Sequence, residues 1–247
     1  MITSRQNDFI KLIRSLSDKK NRDALNLFTV EGIKAVNEAV IFGCDFFAVI
    51  GTEKALKTVK IPENVRVEEV SDGVFECVSA EKSPQGVMAV IYKPKNDLVP
   101  PTGNSILLDG VADPKNVGSI IRTAVASNYK DVYLTSDSAD AFSPKSVRAS
   151  MTGIFRANIH YGSRDELLNV INKPLVIADM GGKNVFGVSD LGKICLVIGN
   201  EGNGVSQTVK QRATYTVSIP MQNDVESLNA SVSAGILMYL LNKKDYE

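Results

Sequence analysis

The alternation of apolar and polar positions divides the chain into two series of strands and helices. In the first half, the apolar runs NLFTV, DFFAVIG and GVMAVIYK predict strands. Between the first two runs, GIKAVNEAVIFG places Ile33, Val36 and Val40 at helical spacing and ends at Gly43, which predicts a helix. This order of elements predicts a small α/β sandwich domain of about one hundred residues.

The second half contains six apolar runs, which are SILLD, DVYLT, ANIHY, LVIAD, ICLVIG and YTVSIP. Helical patterns separate most of them. Near-continuous apolar strands that alternate with helices are typical of a parallel sheet covered on both faces. The second half is therefore predicted to be an α/β domain with a parallel sheet.

A proline-rich segment, KPKNDLVPPTGN, separates the two series at residues 93–104. Proline fixes φ and has no backbone N–H, so this segment is unsuited to both helix and sheet. We therefore predict a first domain over residues 1–95, a linker over residues 96–104 and a second domain over residues 105–247.

Charge and composition are those of an ordinary globular protein, since 28 basic and 28 acidic residues balance in a chain of 247. A local excess of positive charge lies in residues 1–34, which carry seven basic and four acidic side chains. This excess is consistent with a solvated helix face, which charge alone favours, or with an edge that contacts phosphate groups.

Three cysteines, Cys44, Cys77 and Cys195, lie far apart in the sequence. This spacing favours small buried side chains in a reducing compartment over a disulfide framework or a zinc site. The first residues lack the apolar core of a signal peptide, and no apolar run has membrane-spanning length. We expect a cytoplasmic protein that binds neither membrane nor metal.

The segment DGVADPKNVGSIIRTA joins a predicted strand to a predicted helix. It has neither the glycine spacing of a nicotinamide-dinucleotide turn nor the GK[ST] of a P-loop, which argues against an oxidoreductase. Asn116 is expected to cap the helix. Arg122 lies one turn after Gly118, beside an apolar stripe, and spacing alone leaves open whether it is a surface or a ligand-binding residue. The stripe consists of Val117, Ile120, Ile121 and Ala124.

Two further segments follow predicted strands. LVIGNEGNGV has three glycines in six positions and a carboxylate, Glu201, which favours a neutral or cationic ligand over a bare phosphate. SIPMQNDVESLNASVSAGILMYLL carries Ser227, a predicted N-cap, before a helix rich in small residues that allow close packing. Ligands in open α/β sheets bind beyond the carboxyl ends of strands, so the three segments are expected to converge.

The single histidine, His160, is most simply a strand or loop residue. Its isolation excludes mechanisms that pair serine with histidine or use two histidines. The polar groups left for chemistry are asparagine, arginine, glutamate and serine side chains around glycine-rich backbone.

These three segments, in this order, closely resemble the motifs of the SpoU family, the TrmH-like RNA 2′-O-ribose methyltransferases. They are DPKNVGSIIRTA, IGNEGNGVS and IPMQNDVESLNASVSAG. The first half is similar to the family's L30e-like substrate-binding domain, through FTVEGIKAVNEA and SPQGVMAV. The resemblance implies a deep trefoil knot of the SPOUT type in the second domain. It also implies a homodimer formed through that domain, with each active site completed across the interface.

The resemblance further implies S-adenosylmethionine as the methyl donor and a ribose 2′-hydroxyl of RNA as the acceptor. By motif position, the implied catalytic residues are Arg122, Asn116, Glu201, Ser227 and Asn229. The implied cofactor-binding residues are Gly199, Asn200, Gly202, Ile219, Met221 and Leu228.

Large-subunit ribosomal RNA is the preferred substrate, because the paired L30e-like and SpoU layout is common in enzymes that modify it. A tRNA substrate, methylation of a base, and a non-catalytic RNA-binding protein remain alternatives. A guanidinium stays protonated, so we expect Arg122 to clamp a phosphate and stabilise negative charge rather than act as a base. The hydroxyl proton is left to a phosphate oxygen, water or Glu201.

Overall fold

A computed structural model describes residues 1–222 and 227–242. The chain forms two compact units. The first contains Met1–Lys95 and Phe142–Phe155, and the second contains Asn96–Ala141 and Arg156–Glu247. Contacts therefore place residues 142–155 in the first unit, whereas the sequence analysis placed them in the second domain.

Aromatic contacts explain why this segment joins the first unit. The ring centroid of Phe142 lies 5.0 Å from that of Phe28, and the ring of Phe155 lies 6.4 Å from that of Phe42. These pairs join positions that are far apart in the sequence. Local periodicity carries no signal for such contacts.

The first unit is built on a four-stranded sheet. Its strands are β1 (Leu27–Glu31), β2 (Phe46–Gly51), β3 (Val67–Glu69) and β4 (Val87–Tyr92). They lie in the order β1-β4-β2-β3, with β2 and β3 parallel and the other pairs antiparallel. The three strands predicted for this half are confirmed as β1, β2 and β4. Strand β3 was missed because its sequence, VEE, has a single apolar residue.

Six helices belong to this unit. They are α1 (Asp8–Ser15), α2 (Lys19–Leu25), α3 (Ile33–Ile41), α4 (Glu53–Leu56), α5 (Asp72–Val78) and α7 (Pro144–Ser150). Helix α1 begins where the side chain of Asn7 accepts a hydrogen bond from Phe9 N at 2.9 Å. It buries Ile10 and Ile13 against the core, which also contains Phe75.

The second unit contains a six-stranded sheet in which every neighbouring pair is parallel. Its strands are β5 (Ser105–Asp109), β6 (Asp131–Thr135), β7 (Asn158–Gly162), β8 (Leu175–Asn184), β9 (Cys195–Gly199) and β10 (Tyr215–Ser218). Its helices are α6 (Pro114–Ala126), α8 (Arg164–Val170), α9 (Gln207–Lys210) and α10 (Ala230–Leu241). The predicted α/β class and parallel sheet are confirmed, with all six predicted strands present.

The strand order, β10-β8-β9-β5-β6-β7, positions the site. The chain leaves β5 toward β6 on one side, while β9 lies against the other side of β5. Such a reversal opens a crevice at the carboxyl ends of the strands. The turn after β9 and the loop after β5 therefore face the same end of the sheet.

Strand β10 pairs with β8 in two separated stretches. Thr216 aligns with Ile177, but the next residue, Val217, aligns with Lys183. A Cβ at Gly182 would lie 2.6 Å from the backbone N and C of Val217, so only glycine allows this approach. The trefoil knot implied by the resemblance stays a prediction.

Packing of α10 on α6 explains the small residues of the last helix. A Cβ at Gly235 would lie 3.6 Å from Cγ2 of Thr123, and Ser127 Oγ lies 3.4 Å from Met238 Sδ. Side chains this small bring the two helices close together. In the described ranges, none of the helices has both the length and the apolar character required to cross a membrane.

Candidate methyl-transfer site

Helix α6 begins one residue after Asp113, whose Oδ1 accepts a hydrogen bond from Lys115 N at 2.8 Å. Pro114 takes the first helical position, where its missing N–H costs nothing. The prediction that Asn116 caps this helix was therefore wrong, because the cap must precede the proline. Asn116 lies inside the first turn and is only 6% exposed. The predicted apolar stripe of this helix is buried throughout.

The carboxylate of Glu201 lies at the centre of the site. It accepts hydrogen bonds from the backbone N–H groups of Ala112, at 3.1 Å, and Asp113, at 3.3 Å. It also accepts one from Asn116 Nδ2 at 2.9 Å. Burial alone would raise the pKa of Glu201, but these hydrogen bonds together lower it below its usual value. The carboxylate thus joins the turn after β9 to the start of α6.

Asn229 joins α10 to the same network. Its Oδ1 accepts hydrogen bonds from the backbone N–H groups of Ser231, at 2.9 Å, and Val232, at 3.3 Å, so Asn229 caps this helix and Ser227 does not. Its Nδ2 donates to Asn116 Oδ1 at 3.0 Å. A hydrogen-bonded chain of three side chains, Asn229–Asn116–Glu201, therefore connects all three sequence motifs.

Asn200 shapes the turn that carries Glu201. Its Oδ1 accepts hydrogen bonds from the backbone N–H groups of Gly202 and Asn203, both at 3.0 Å. Its Nδ2 donates to the carbonyl of Gly110 at 2.8 Å, and its backbone pairs with Gly204 in both directions. The turn is thereby fixed to the loop after β5.

Residues 103–239 match the family model described as SpoU rRNA Methylase family. The chain belongs to this family. Residues 7–89 of this SpoU chain also match a model described as MRM3-like substrate binding domain.

Several relatives span nearly the whole SpoU chain. The Bacillus subtilis protein named 23S rRNA (guanosine(2553)-2′-O)-methyltransferase RlmP is 29% identical, covering 97% of this chain and 98% of its own. An AdoMet-bound rRNA methyltransferase from Sinorhizobium meliloti has a TM-score of 0.89 at 26% identity, with 98% of this chain and 97% of its own covered. The SpoU methyltransferase AviRb from Streptomyces viridochromogenes, solved with AdoMet, has a TM-score of 0.88 at 25% identity, with 98% and 99% covered.

One anchor of the site in this SpoU chain was missed in the sequence. Asp109, the last residue of β5, is fully buried and accepts a hydrogen bond from Ser206 N at 2.7 Å. Its other oxygen lies 2.6 Å from Nε of Arg164, which also contacts Asp137 at 2.7 Å. The available signal was a carboxylate that ends the apolar strand SILLD.

The remaining predicted residues do not join the hydrogen-bonded chain. Arg122 is exposed on α6, and no hydrogen bond or ion pair links it to another residue in the described ranges. Ser227 is exposed immediately before Leu228 and the cap of α10. Ile219 and Met221 follow β10.

The segments around Met221 and Leu228 suit the adenosyl group of S-adenosylmethionine. The side chains of Ile219, Met221 and Leu228 are partly exposed, which leaves apolar surface for a heteroaromatic ring. Within residues 1–222 and 227–242, the backbone N–H and C=O groups of Met221 and Leu228 form no hydrogen bonds.

His160 makes structural contacts inside the second unit. It is buried in β7, stacks on Tyr133 with centroids 4.7 Å apart, and lies 2.8 Å from the carbonyl of Asp97. The described residues contain no group of three or more His, Cys, Asp and Glu side chains arranged to hold a metal ion.

Proposed function

We propose that this chain transfers the methyl group of S-adenosylmethionine to a ribose 2′-hydroxyl of large-subunit ribosomal RNA. The hydrogen-bonded chain Asn229–Asn116–Glu201 carries the proposal, because it unites the three segments that the SpoU motifs comprise. The names of two relatives support the reaction and the substrate class. RlmP is named a 23S rRNA (guanosine(2553)-2′-O)-methyltransferase, and a Streptomyces viridochromogenes protein, 29% identical to this chain, is named a 23S rRNA (uridine(2479)-2′-O)-methyltransferase.

We assign cofactor binding to Gly199, Asn200, Gly202, Ile219, Met221 and Leu228. When bound, S-adenosylmethionine supplies a methyl group that its sulfonium already activates. Asn200 holds the backbone of Gly202 through a hydrogen bond, which gives the ligand a fixed surface. Such preorganisation places both reactants in line and lowers the barrier by up to about 7–11 kcal/mol.

The acceptor hydroxyl must lose its proton during attack. Glu201 is a poor acceptor, because its oxygens already take three hydrogen bonds and its pKa is lowered. We assign Arg122 the role of clamping the neighbouring phosphate and stabilising the developing negative charge. The proton is then left to a phosphate oxygen or to water.

We propose a homodimer through the second domain, and the exposed position of Arg122 supports it. This side chain is exposed and forms no hydrogen bond or ion pair with Asn116 or Glu201, although the reaction needs its guanidinium near the acceptor. We propose that a second copy completes the site, using the exposed side chains Val232 and Tyr239 of α10 as part of the interface. We assign Ser227 and Asn229 as the remaining polar residues of the active site. The trefoil knot is part of the same proposal.

We propose a division of labour between the domains predicted at residues 1–95 and 105–247, joined by the linker at residues 96–104. The first docks structured RNA by shape and phosphate contacts, and the second carries out methyl transfer. We place the protein in the cytoplasm, where its RNA substrate is.

The decisive experiment maps 2′-O-methyl groups in total RNA from cells with and without the protein. We expect one ribose position of large-subunit ribosomal RNA to lose its methyl group. The purified chain should restore it with S-adenosylmethionine and unmodified RNA. Loss at a tRNA position instead would overturn the substrate class, and an unchanged map together with no transfer by the purified chain would overturn the reaction.

A further inference from the structure

A cavity of about 620 Å³ lies in the first unit, and none of the residues that line it is assigned to methyl transfer. Its size lies within the range of about 300–1,000 Å³ that is typical of small-ligand sites. Residues of α1, β1, α3, α5, β4 and α7 line it, together with the segment between α5 and β4. Six helices and strands of one compact unit thus surround a single space.

The inner wall of the cavity is apolar. Ile13, Val30, Met88 and Val147 line it, and each is at most 6% exposed. These side chains offer an aliphatic surface to a ligand. Water forms no hydrogen bonds with such a wall, so the burial of an apolar ligand face against it is favourable.

Two exposed basic side chains also line the cavity. Arg14 and Lys34 line it, both are exposed, and neither forms an ion pair with another residue in the described part of the chain. Arg148 of α7 also lines it and pairs with Glu81 on the opposite side. Two cations are therefore available for a phosphate group.

Polar groups of the cavity are positioned by hydrogen bonds. Gln85 Oε1 accepts from Ile33 N at 2.8 Å, which leaves its Nε2 as a donor. Glu31 accepts from Ser79 Oγ and from Ala80 N, at 3.1 Å for the second. A donor and a half-buried carboxylate are thus held in place near an apolar wall and two free cations.

We propose that this cavity binds one unpaired nucleotide of the RNA substrate, with the base against the apolar wall and the phosphate at Arg14 and Lys34. This inference rests on the proposed RNA methyltransferase function. Single-stranded RNA is recognised by bases that leave the stack, pack on side chains and present their edges to polar groups.

The proposed occupant is part of an RNA rather than a free metabolite, because the two cations that line the cavity are exposed to solvent. A backbone that continues beyond the bound nucleotide would run past Arg14 and Lys34. Glu31 and Gln85 would contact the edge of the base, and would favour a base that presents both a donor and an acceptor. The cavity would therefore select one unpaired nucleotide of a structured RNA.

The test uses the full chain and two labelled probes, a single-stranded RNA oligonucleotide of mixed sequence and a duplex of the same length. We expect Ala35→Trp, which fills the cavity from α3, to raise the dissociation constant for the single strand about tenfold. Ala24→Trp, which adds the same ring on exposed α2, is the matched control and should bind as wild type.

Lys34→Gln should not disturb the fold, because this side chain is exposed. We expect it to weaken binding several-fold and to lower the salt slope by about one, whereas Lys54→Gln on α4 changes neither. RNA containing thiouridine should cross-link to peptides that line the cavity. Equal affinity of wild type, Ala35→Trp and Lys34→Gln for the single strand would overturn the proposal. Binding of nucleoside monophosphates in the cavity would also overturn it if neither variant changed the affinity for RNA.

Failure of this inference is distinguishable from failure of the proposed function. If wild type and Ala35→Trp methylate large-subunit RNA with the same KM for RNA, only the nucleotide site is overturned. If wild type transfers no methyl group to any RNA, the proposed function fails, and the inference that rests on it is overturned as well.

Discussion

Nδ2 of Asn116 donates a hydrogen bond to Oε1 of Glu201 at 2.9 Å, across two motifs that are far apart in the sequence. The carboxylate also accepts from two backbone N–H groups in the loop after β5. Protein donors thus form hydrogen bonds with both oxygens of this carboxylate. This arrangement explains why a glutamate lies in a glycine-rich turn, because it holds that turn against α6.

Replacing this carboxylate should weaken cofactor binding. Glu201→Gln removes the charge that strengthens three hydrogen bonds, and hydrogen bonds to charged groups contribute about 1.5–3 kcal/mol each. We expect the dissociation constant for S-adenosylmethionine to rise at least about tenfold, as measured by isothermal titration calorimetry. Asp165→Asn, at an exposed acid of α8, is the control. Unchanged affinity in Glu201→Gln would contradict the role of this carboxylate.

The same residue predicts a dependence of stability on pH. Burial raises the pKa of Glu201, but hydrogen bonds from Asn116 and the backbone outweigh it, so the folded-state value lies below the unfolded value of 4.5. Such a group stabilises the folded state above pH 4.5, and this contribution is lost as the pH falls through the folded-state pKa. We expect the difference in free energy of unfolding between wild type and Glu201→Gln to be constant near neutral pH and to shrink below about pH 4.5. Urea unfolding of both proteins measures it, and a difference that grows in acid would refute the prediction.

Regular elements could be predicted from the sequence because each depends on local periodicity. The buried stripe of α6 and the six parallel strands are of this kind. The cap of α6 was assigned wrongly, since Pro114 at the first helical position moves the cap back to Asp113. The link between Asn116 and Asn229 is a tertiary contact, and single-sequence patterns carry no distance information.

Family motifs supplied what periodicity could not, because they identify which polar residues act together. They did not indicate Asp109, whose role depends on Arg164 and Ser206 meeting it in space. Nor did they indicate that residues 142–155 pack with the first unit. Each of these features requires the folded chain.

Asp109 should be essential for the position of the turn after β9. Asp109→Asn places an amide against the guanidinium of Arg164 and weakens the bond from Ser206 N. Removing one partner of a buried ion pair costs about 3–5 kcal/mol, and less is expected here because Arg164 is 30% exposed. Chemical unfolding should show a loss of about 2–3 kcal/mol.

The matched control is Asp137→Asn, which removes the exposed carboxylate that contacts the same arginine. Its side chain is 56% exposed, so a loss below about 1 kcal/mol is expected. Equal losses of stability in the two variants would show that the burial of Asp109 does not determine its contribution to stability.

Close packing at Gly199 gives a steric prediction. A Cβ there would lie 2.3 Å from the backbone carbon of Gly204 and from Val205 N, and neither backbone atom can move freely. We expect Gly199→Ala to destabilise the fold by about 1–3 kcal/mol and to weaken S-adenosylmethionine binding. Gly187→Ala, where a Cβ meets no atom within 4 Å, should leave the melting temperature and affinity unchanged. A stable Gly199→Ala protein with wild-type affinity would disprove this account.

Arg122 gives the sharpest test of the proposed reaction. Arg122→Lys keeps the positive charge but loses the planar fork that binds a phosphate in two places. The side chain is exposed and has no hydrogen bond in the described residues, so the fold and the affinity for S-adenosylmethionine should be unchanged. Removing a group that stabilises developing charge costs about two to three orders of magnitude in kcat. Single-turnover methyl transfer to large-subunit RNA measures that loss, with Lys115→Arg at another exposed position of α6 as the control. Wild-type turnover of Arg122→Lys at neutral pH would rule out the bidentate clamp.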